Sequence, residues 1–335
     1  MPSLRHTKRA RLTAATEGSR PDRVPVGFWQ HFPTLDDDVD AFVRATIDAF
    51  ERYDLDFVKI TPRMPGPVLS WGIELGSYHP HRGFYFVSKR AVTEPADWHR
   101  LARITPDDPP QARQLEGLRK VRAALGNDVP ILLTLFSPAM AASFVADDAT
   151  FARHLREAPD AVAAGLQTIA SATIDFAQAG LDNGADGFLY GIKHASARVV
   201  PWESYAPLDR EYDRPVAREL YERSRFTIAH LHGPELAIDR FLDYPAHVLN
   251  WYDRVDGPAL DRVRALAPRA VLAGGVDHER TLMIGTPEEV RREVLDAVEQ
   301  TGGRGFIIAP GCTAPVTVPQ ENIRAMLAAV AETHG

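Results

Sequence analysis

Short apolar runs rich in β-branched residues alternate along this chain with longer segments of helical periodicity. The candidate strands are Val24–Trp29, Leu55–Ile60, Val129–Phe136, Gly187–Tyr190, Phe226–His230, His247–Asn250, Ala270–Ala273 and Gly305–Ala309. Strands that alternate with helices favour a parallel sheet with right-handed crossovers. Eight such strands predict an α/β fold closed into a (β/α)8 TIM barrel. An open doubly wound sheet is the alternative if one of the strands is false.

The length of 335 residues fits one barrel with insertions, so we expect a single domain over residues 1–335. The segment 61–110, after the second predicted strand, is longer than a crossover needs. It contains an aromatic, strand-like stretch around Gly83, which predicts an inserted β-hairpin. Loops at this end of a barrel carry the active site, and we therefore expect the hairpin to act as a lid.

Charge and composition exclude several classes of function. The net charge of −7 disfavours nucleic acid as a partner. No stretch approaches eighteen consecutive apolar residues, so we expect no membrane span. The basic, polar residues 1–20 lack the apolar block of a secretory signal. A single cysteine, Cys312, excludes an intramolecular disulfide and suits a reducing compartment, so we expect a cytoplasmic protein.

A barrel would bring the polar residues that follow its strands to one mouth. His230 and His232 follow the fifth predicted strand, and alternate residues of an extended strand point the same way, so both rings can bind one ion. Cys312 follows the eighth strand. Two imidazoles, a thiolate and an open fourth position are typical of catalytic zinc, and iron, cobalt or nickel would also suit these donors. The alternative is a packed histidine pair and a small buried cysteine.

Four other residues near the mouth are candidates for catalysis. Lys59 stands in an apolar strand, where an ammonium group needs a partner, either an acid of the protein or a substrate carboxylate. His31 is a proton donor or a packed ring, and Tyr190 is a candidate acid. Asp253 is a base, a fourth metal ligand or a helix cap. The predicted substrate contacts are Trp29, Lys193, His194, Asn250 and Asp277.

Motifs at both ends of the chain are more specific. The stretch RLTAATEG at 11–18 is followed by PDRVPV at 21–26, and GFIIAPGC at 305–312 is followed by PQENIRAM at 319–326. With DFVK at 56–59 and GADG at 184–187, these motifs resemble the uroporphyrinogen decarboxylase superfamily over nearly the whole chain. The resemblance implies a (β/α)8 barrel, in agreement with the strand count, and permits a homodimer.

The superfamily contains two chemistries. Its decarboxylases use paired arginines after the first strand and a histidine in the C-terminal glycine motif. Here the first exit is WQHF at 29–32 and Cys312 takes the place of that histidine, so porphyrinogen decarboxylation is not expected. Its zinc-dependent corrinoid:thiol and coenzyme M methyltransferases carry His-x-Cys and a distant Pro-Gly-Cys. His230 and Cys312 match those ligands by position, and His232 replaces a cysteine.

The resemblance implies a zinc-dependent methyl or alkyl transferase that acts on a small molecule, with a corrinoid, a corrinoid protein or a small methylated metabolite as methyl donor. Histidine in place of a thiolate raises the charge of the site by one unit. A bound thiolate is then less nucleophilic, which leaves metal-activated water as an alternative. A cofactor-free decarboxylase or lyase of a small carboxylate is the second hypothesis, and a binding protein without catalysis is the third.

Overall fold

The computed structural model describes residues 6–196 and 198–333. The strands in these ranges are β1 Val58–Ile60, β2 Glu74–Tyr78, β3 Tyr85–Lys89, β4 Ile131–Phe136, β5 Gly187–Ile192, β6 Phe226–Leu231, β7 Val248–Trp251, β8 Leu272–Val276 and β9 Phe306–Pro310. Seven of them, β1 and β4 to β9, form one curled parallel sheet in chain order, whereas β2 and β3 form a separate antiparallel pair. The predicted α/β class with a parallel sheet is confirmed.

Helices connect most consecutive strands of the large sheet, as the alternating pattern predicts, and a short 3₁₀ helix, Ile238–Arg240, lies between β6 and β7. The α-helices are α1 Lys8–Thr16, α2 Val39–Arg52, α3 Pro109–Leu125, α4 Pro138–Ala146, α5 Asp148–Glu157, α6 Pro159–Asp182, α7 Trp202–Leu208, α8 Arg214–Arg223, α9 Leu260–Leu266, α10 Thr281–Ile284, α11 Pro287–Thr301 and α12 Gln320–Ala331. Helix α11 shows how the sequence sets such boundaries. Thr286 and Glu289 form a capping box at its start, and Gly302 adopts a left-handed conformation at its end.

Every residue of strands β4 to β9 is buried, as expected for a parallel sheet covered on both faces. Alternate side chains divide between two hydrophobic clusters, because successive residues of a strand point to opposite faces. The smaller, inner cluster includes Leu132, Leu189, Ile228, Ala273 and Ile307. The larger cluster lies between the sheet and the helices.

The first predicted strand, Val24–Trp29, is reduced to a single β-bridge. Val26 pairs in parallel with Ile308 of β9. The Val26 carbonyl accepts a 3.0 Å hydrogen bond from the backbone N–H of Asp56, just before β1. The segment therefore contacts both edges of the seven-stranded sheet. Pro25 has no N–H to donate, which limits the ladder that this segment can form.

Asp56 fastens the segment to the sheet. Its side chain is fully buried and accepts hydrogen bonds from Arg11 at 2.6 Å, Arg23 at 2.6 Å and the Val26 N–H at 2.7 Å. Two guanidinium groups thus neutralise one buried carboxylate, as a buried charge requires.

The antiparallel pair β2–β3 lies within the segment 61–110, and its tip reaches loops that follow the last strands. The His81 carbonyl accepts a hydrogen bond from the Val316 N–H at 3.0 Å, and the His81 ring contacts the Thr317 hydroxyl at 2.7 Å. Arg82 forms an ion pair with Glu279. Its action as a lid remains a prediction. Among the described residues, every helix is too short or too polar to span a bilayer.

Candidate metal centre

A cavity of about 400 Å³ lies at the carboxyl ends of the parallel strands. Its wall includes Lys59 of β1, Thr134 of β4, Gly191 of β5 and His230 of β6, together with hairpin residues 84–87. This is the end of the sheet at which barrel enzymes carry their active sites.

The three predicted metal ligands meet in this cavity. His230 lies at the end of β6, His232 follows two residues later, and Cys312 follows β9. One donor atom from each residue lies within 4.8 Å of the other two. The Cys312 Sγ is 3.6 Å from the His232 Nδ1, and the two histidine rings are 5.9 Å apart. Parallel strands and the two-residue period of β6 together produce this cluster.

The hydrogen bonds around His230 fit a metal ligand. Its Nδ1 is 2.6 Å from the Asn250 Oδ1, while the Asn250 Nδ2 donates to the carbonyls of Ala273 at 3.0 Å and Pro310 at 3.3 Å. The amide oxygen therefore accepts from the ring, and the lone pair of the His230 Nε2 is available. Ligating histidines in proteins commonly donate their other N–H in this way. Asn250, predicted to contact substrate, instead supports a candidate ligand.

The electrostatics of the cluster favour a thiolate. Burial alone would raise the pKa of the Cys312 thiol, but His232 and His230 outweigh burial and hold that pKa well below its ordinary value. Burial would lower the pKa of His232, and the Cys312 charge reverses this and raises it. Two imidazoles and a thiolate are a donor set that zinc binds tetrahedrally with one open position, so these residues fit zinc.

Lys59 faces the cavity without an acidic partner among the described residues. Its side chain is 9% exposed, and the Trp29 ring lies 5.9 Å from its Nζ. Burial lowers its pKa from 10.5 to about 8. Trp29 itself packs in the inner hydrophobic cluster and does not line the cavity. The sequence predicts either an acid of the protein or a substrate carboxylate as the partner of Lys59. Among the described residues, no acid of the protein takes this place.

His31 lines the cavity as a buried, neutral ring. Its Nδ1 has no hydrogen-bond partner among the described residues. Burial, reinforced by the positive charge of Lys59, lowers the pKa of His31 to about 3. An imidazole with this pKa is uncharged at neutral pH and lacks the acidic proton of an imidazolium. This disfavours the interpretation of His31 as a proton donor.

Lys193 also lines the cavity, and its Nζ is 2.6 Å from the Asp148 carboxylate. The neighbouring His194 is placed differently, packed against the rings of Phe151 and Tyr205 at 5.5 and 5.6 Å. Burial and then the charge of Lys193 lower the pKa of His194 to about 3. His194 thus lies in the core and does not line the cavity.

Three further candidates lie outside the cavity wall. The Tyr190 hydroxyl donates to the Asp213 carbonyl at 2.9 Å, on the helix side of β5. Asp253 accepts from the Gly275 N–H at 2.9 Å, and burial raises the pKa of Asp253 to about 6. Asp277 accepts from the backbone N–H groups of residues 279 and 280, both at 2.9 Å. The Asp277 contacts support a local turn, whereas those of Tyr190 and Asp253 join separate elements of the fold.

The hairpin supplies a part of the wall that the pattern of strand ends does not predict. Arg82, Phe84, Phe86 and Arg90 all line the cavity. The aromatic stretch at 78–87, interpreted only as a lid, was the available signal. The described lining contains arginine, lysine and histidine but no aspartate or glutamate.

The family model described as uroporphyrinogen decarboxylase (URO-D) matches residues 7–333. The chain belongs to the uroporphyrinogen decarboxylase family. The resemblance in the terminal motifs is thereby confirmed.

Curated members of the URO-D family related to this chain are methyltransferases. Methylcobamide:CoM methyltransferase MtaA of Methanosarcina barkeri is 24% identical, over 96% of this chain and 97% of its own length. Methylcobamide:CoM methyltransferase MtbA of Methanosarcina mazei is 24% identical, over 72% of this chain and 69% of its own length. These names agree with the methyltransferase branch of the resemblance.

Solved structures share the fold. A methyltransferase from Methanosarcina mazei aligns with a TM-score of 0.85 and 22% identity, over 98% of this chain and 99% of its own. A B12-independent methionine synthase from Shewanella sp. W3-18-1 aligns with a TM-score of 0.57 and 11% identity, over 96% and 97% of the two chains. The shared fold therefore extends over essentially the whole chain.

Proposed function

We propose that this protein is a metal-dependent methyltransferase that moves a methyl group from a corrinoid to a small-molecule acceptor. The observation that carries the proposal is the cluster of His230, His232 and Cys312 in the cavity. The full-length relatives named methylcobamide:CoM methyltransferases support the reaction class and the corrinoid donor. A corrinoid protein as the bearer of that donor is part of the same proposal.

His230, His232 and Cys312 would hold zinc or another borderline divalent metal. When bound, zinc supplies a Lewis acid that stabilises an acceptor atom in its deprotonated, nucleophilic form. The chain's own contribution is to hold Cys312 as a thiolate and to keep the His230 Nε2 free. With one thiolate and two neutral rings, the loaded site would keep a positive charge.

Lys59 would bind the acceptor. Its buried ammonium has no acidic partner in the described chain, and no carboxylate lines the cavity. An acceptor that carries a negatively charged group would satisfy it, because a buried charge is costly until it is paired. The apolar side chains of Phe84 and Phe86 would exclude water from the bound acceptor.

The architecture that we propose around this site is a closed (β/α)8 barrel over residues 1–335. The segment 24–29 would complete it as an eighth strand, since Val26 contacts both edges of the sheet. The segment 61–110 would form the lid. A homodimer remains a prediction that sedimentation velocity can test.

Reconstitution with defined metal content tests the function. Metal-free protein, with and without added zinc, is incubated with methylcobalamin and 2-mercaptoethanesulfonate, and loss of the methylcobalamin absorbance is followed. We expect activity only with zinc, at about one zinc per chain, and neither metal nor activity in Cys312→Ala. Thr313→Ala is the matched control, because Thr313 lines the same cavity without being a ligand. Full activity of metal-free protein would contradict the proposal.

A second candidate is a cofactor-free decarboxylase or lyase of a small carboxylate. The unpaired Lys59 is the observation in its favour, because it could anchor the carboxylate without any metal. Release of carbon dioxide from a carboxylate substrate by metal-free protein, lost in Lys59→Met and kept in Cys312→Ala, would favour this alternative.

A further inference from the structure

Asn250 occupies a junction between three strands. It is fully buried in β7, and in the parallel register it is paired with His230 of β6. Its Nδ2 donates to the carbonyl of Ala273 on β8 and to that of Pro310 on β9, while its Oδ1 lies 2.6 Å from the His230 Nδ1. From β7, this one amide thus contacts β6 and β9, the two strands that lead to the candidate ligands, and also β8.

The amide has only one orientation that satisfies these contacts. Rotated by 180°, its oxygen would face two carbonyl oxygens, neither of which can donate, and two buried hydrogen bonds would be lost. The backbone carbonyls of Ala273 and Pro310 therefore keep the Asn250 oxygen directed at His230. An amide oxygen only accepts hydrogen bonds, so the proton of the neutral ring lies on Nδ1.

We propose that Asn250 is a positioning residue that holds His230 in the Nδ1–H tautomer, so that the Nε2 lone pair faces the metal. The opposite tautomer would carry a hydrogen on Nε2 and could not ligate. Asn250 also holds the carbonyl of Pro310, two residues before Cys312, and so orients two of the three ligands. The proposal rests on the metal site of the proposed function and does not require methyl transfer.

The first test is direct observation of the tautomer. The metal-free full chain is labelled with 15N in its histidines, and the ring shifts are assigned to His230 by comparison with His230→Gln. We expect Nδ1 to be the protonated nitrogen of the neutral ring. In Asn250→Leu, which has similar volume and no acceptor, the proton should redistribute towards Nε2.

The second test is zinc affinity by competition with a chromophoric chelator. Loss of a group that orients a ligating histidine lowers metal affinity about 10–100-fold, and we expect a loss of that size in Asn250→Leu. The matched control is Asn322→Leu. Asn322 is also buried and its Nδ2 donates to the carbonyls of Leu282 at 2.9 Å and Gly285 at 2.8 Å, but it lies outside the cavity. It should lose stability without any change in zinc affinity.

Two results would overturn the proposal. One is an Nε2–H ring at His230 in the wild-type protein, and the other is an Asn250→Leu variant that binds zinc as tightly as Asn322→Leu. If Asn250→Leu does not fold, the wild-type spectrum still decides the tautomer, and Asn250→Asp, which keeps an acceptor opposite the ring, should keep Nδ1 protonated. A wild-type protein with the expected tautomer but no zinc affinity would refute the proposed metal site alone.

Discussion

Two lysines show how differently one residue type behaves in this protein. Lys59 is buried beside the Trp29 ring, whereas Lys120 lies on the surface between Asp40 and Glu116. Burial lowers the pKa of the first, and hydrogen bonds to the two acids raise the pKa of the second. Of the two, only Lys59 lacks a carboxylate partner among the residues that the structure describes.

Replacing Lys59 should therefore stabilise the protein below pH 8. A fall of the pKa from 10.5 in the unfolded chain to about 8 in the folded state corresponds to a cost on the order of 3 kcal/mol. Between these pH values the unfolded chain binds more protons than the folded one, so wild-type stability rises with pH. We expect Lys59→Met to be more stable than wild type in urea unfolding at pH 7, with a smaller difference at pH 9.5.

Lys120→Met serves as the control, because an exposed ion pair contributes little to stability. It should change the free energy of unfolding only slightly at either pH. A Lys59→Met variant that is less stable than wild type at pH 7 would mean that the folded protein pairs this ammonium after all.

At the scale of single residues, the sequence predicts the positions of the candidate ligands better than those of the other candidate site residues. His230 and Cys312 follow strands, and parallel topology brings strand ends together whatever the details of packing. A strand end does not by itself say which way a side chain points. Tyr190 follows Leu189, which faces the inner cluster, so Tyr190 faces the helices and contacts Asp213. The two-residue period of β5 carries this information.

At the scale of elements, the β2–β3 hairpin is fastened at its tip to loops that come late in the chain. His81 contacts Val316 and Thr317, and Arg82 pairs with Glu279. The hairpin also supplies part of the cavity wall. In the described chain, the hairpin tip makes no other hydrogen bond or ion pair with those loops. We therefore expect the cavity to open when these polar contacts are removed.

Cys312, the single cysteine, reports such opening. If the hairpin acts as the predicted lid, the double variant Thr317→Val, Glu279→Gln should be alkylated by iodoacetamide several-fold faster than wild type in metal-free protein. The control is Lys89→Met, which removes the ion pair with Glu74 at the other end of the hairpin. Equal alkylation rates in wild type and double variant would argue against a lid.

The sequence indicates most elements of the large sheet because its strands are continuously apolar. It overestimates the extent of the first strand, Val24–Trp29. This segment has the composition of a strand, but it contains Pro25 near its start and pairs only at Val26. Strand bounds differ by one to three residues elsewhere, since β-branched runs continue into the residues that lead to a ladder. Pairing partners, which decide where a strand begins, lie far away in the sequence.

At the scale of the whole molecule, Asp56 connects the N-terminal segment to the β1 edge of the sheet. It holds Arg11, Arg23 and the Val26 N–H at once and is fully buried. Removal of one partner from a buried ion pair costs about 3–5 kcal/mol, because the remaining charges lose their compensation. We expect a loss of this size for Asp56→Asn, measured by chemical denaturation.

Asp54→Asn is the matched control two positions away. The Asp54 side chain is 83% exposed and pairs with Lys8, so its loss should cost less than about 1 kcal/mol. A comparable effect of the two substitutions would show that the segment 24–29 is held by other contacts.

The overall charge and the charge of the cavity have opposite signs. The chain carries a net charge of −7, yet Lys59, Lys193, Arg82 and Arg90 line a cavity without a described carboxylate. The composition therefore gives the sign of the net charge but not the sign of the charged side chains that line the cavity. The fold makes the difference, because it gathers these cations from three separate stretches of sequence.

The candidate metal ligands and part of the cavity wall come from different parts of the chain. His230 lies in β6, His232 directly follows β6 and Cys312 lies in the loop after β9, whereas part of the wall belongs to residues 82–90. Insertions, deletions and substitutions in the segment 82–90 can change the shape of the cavity while the set of candidate ligands stays intact. Divergence within such a lineage can thus yield new substrate ranges on an unchanged reaction centre, in a single stretch of the gene.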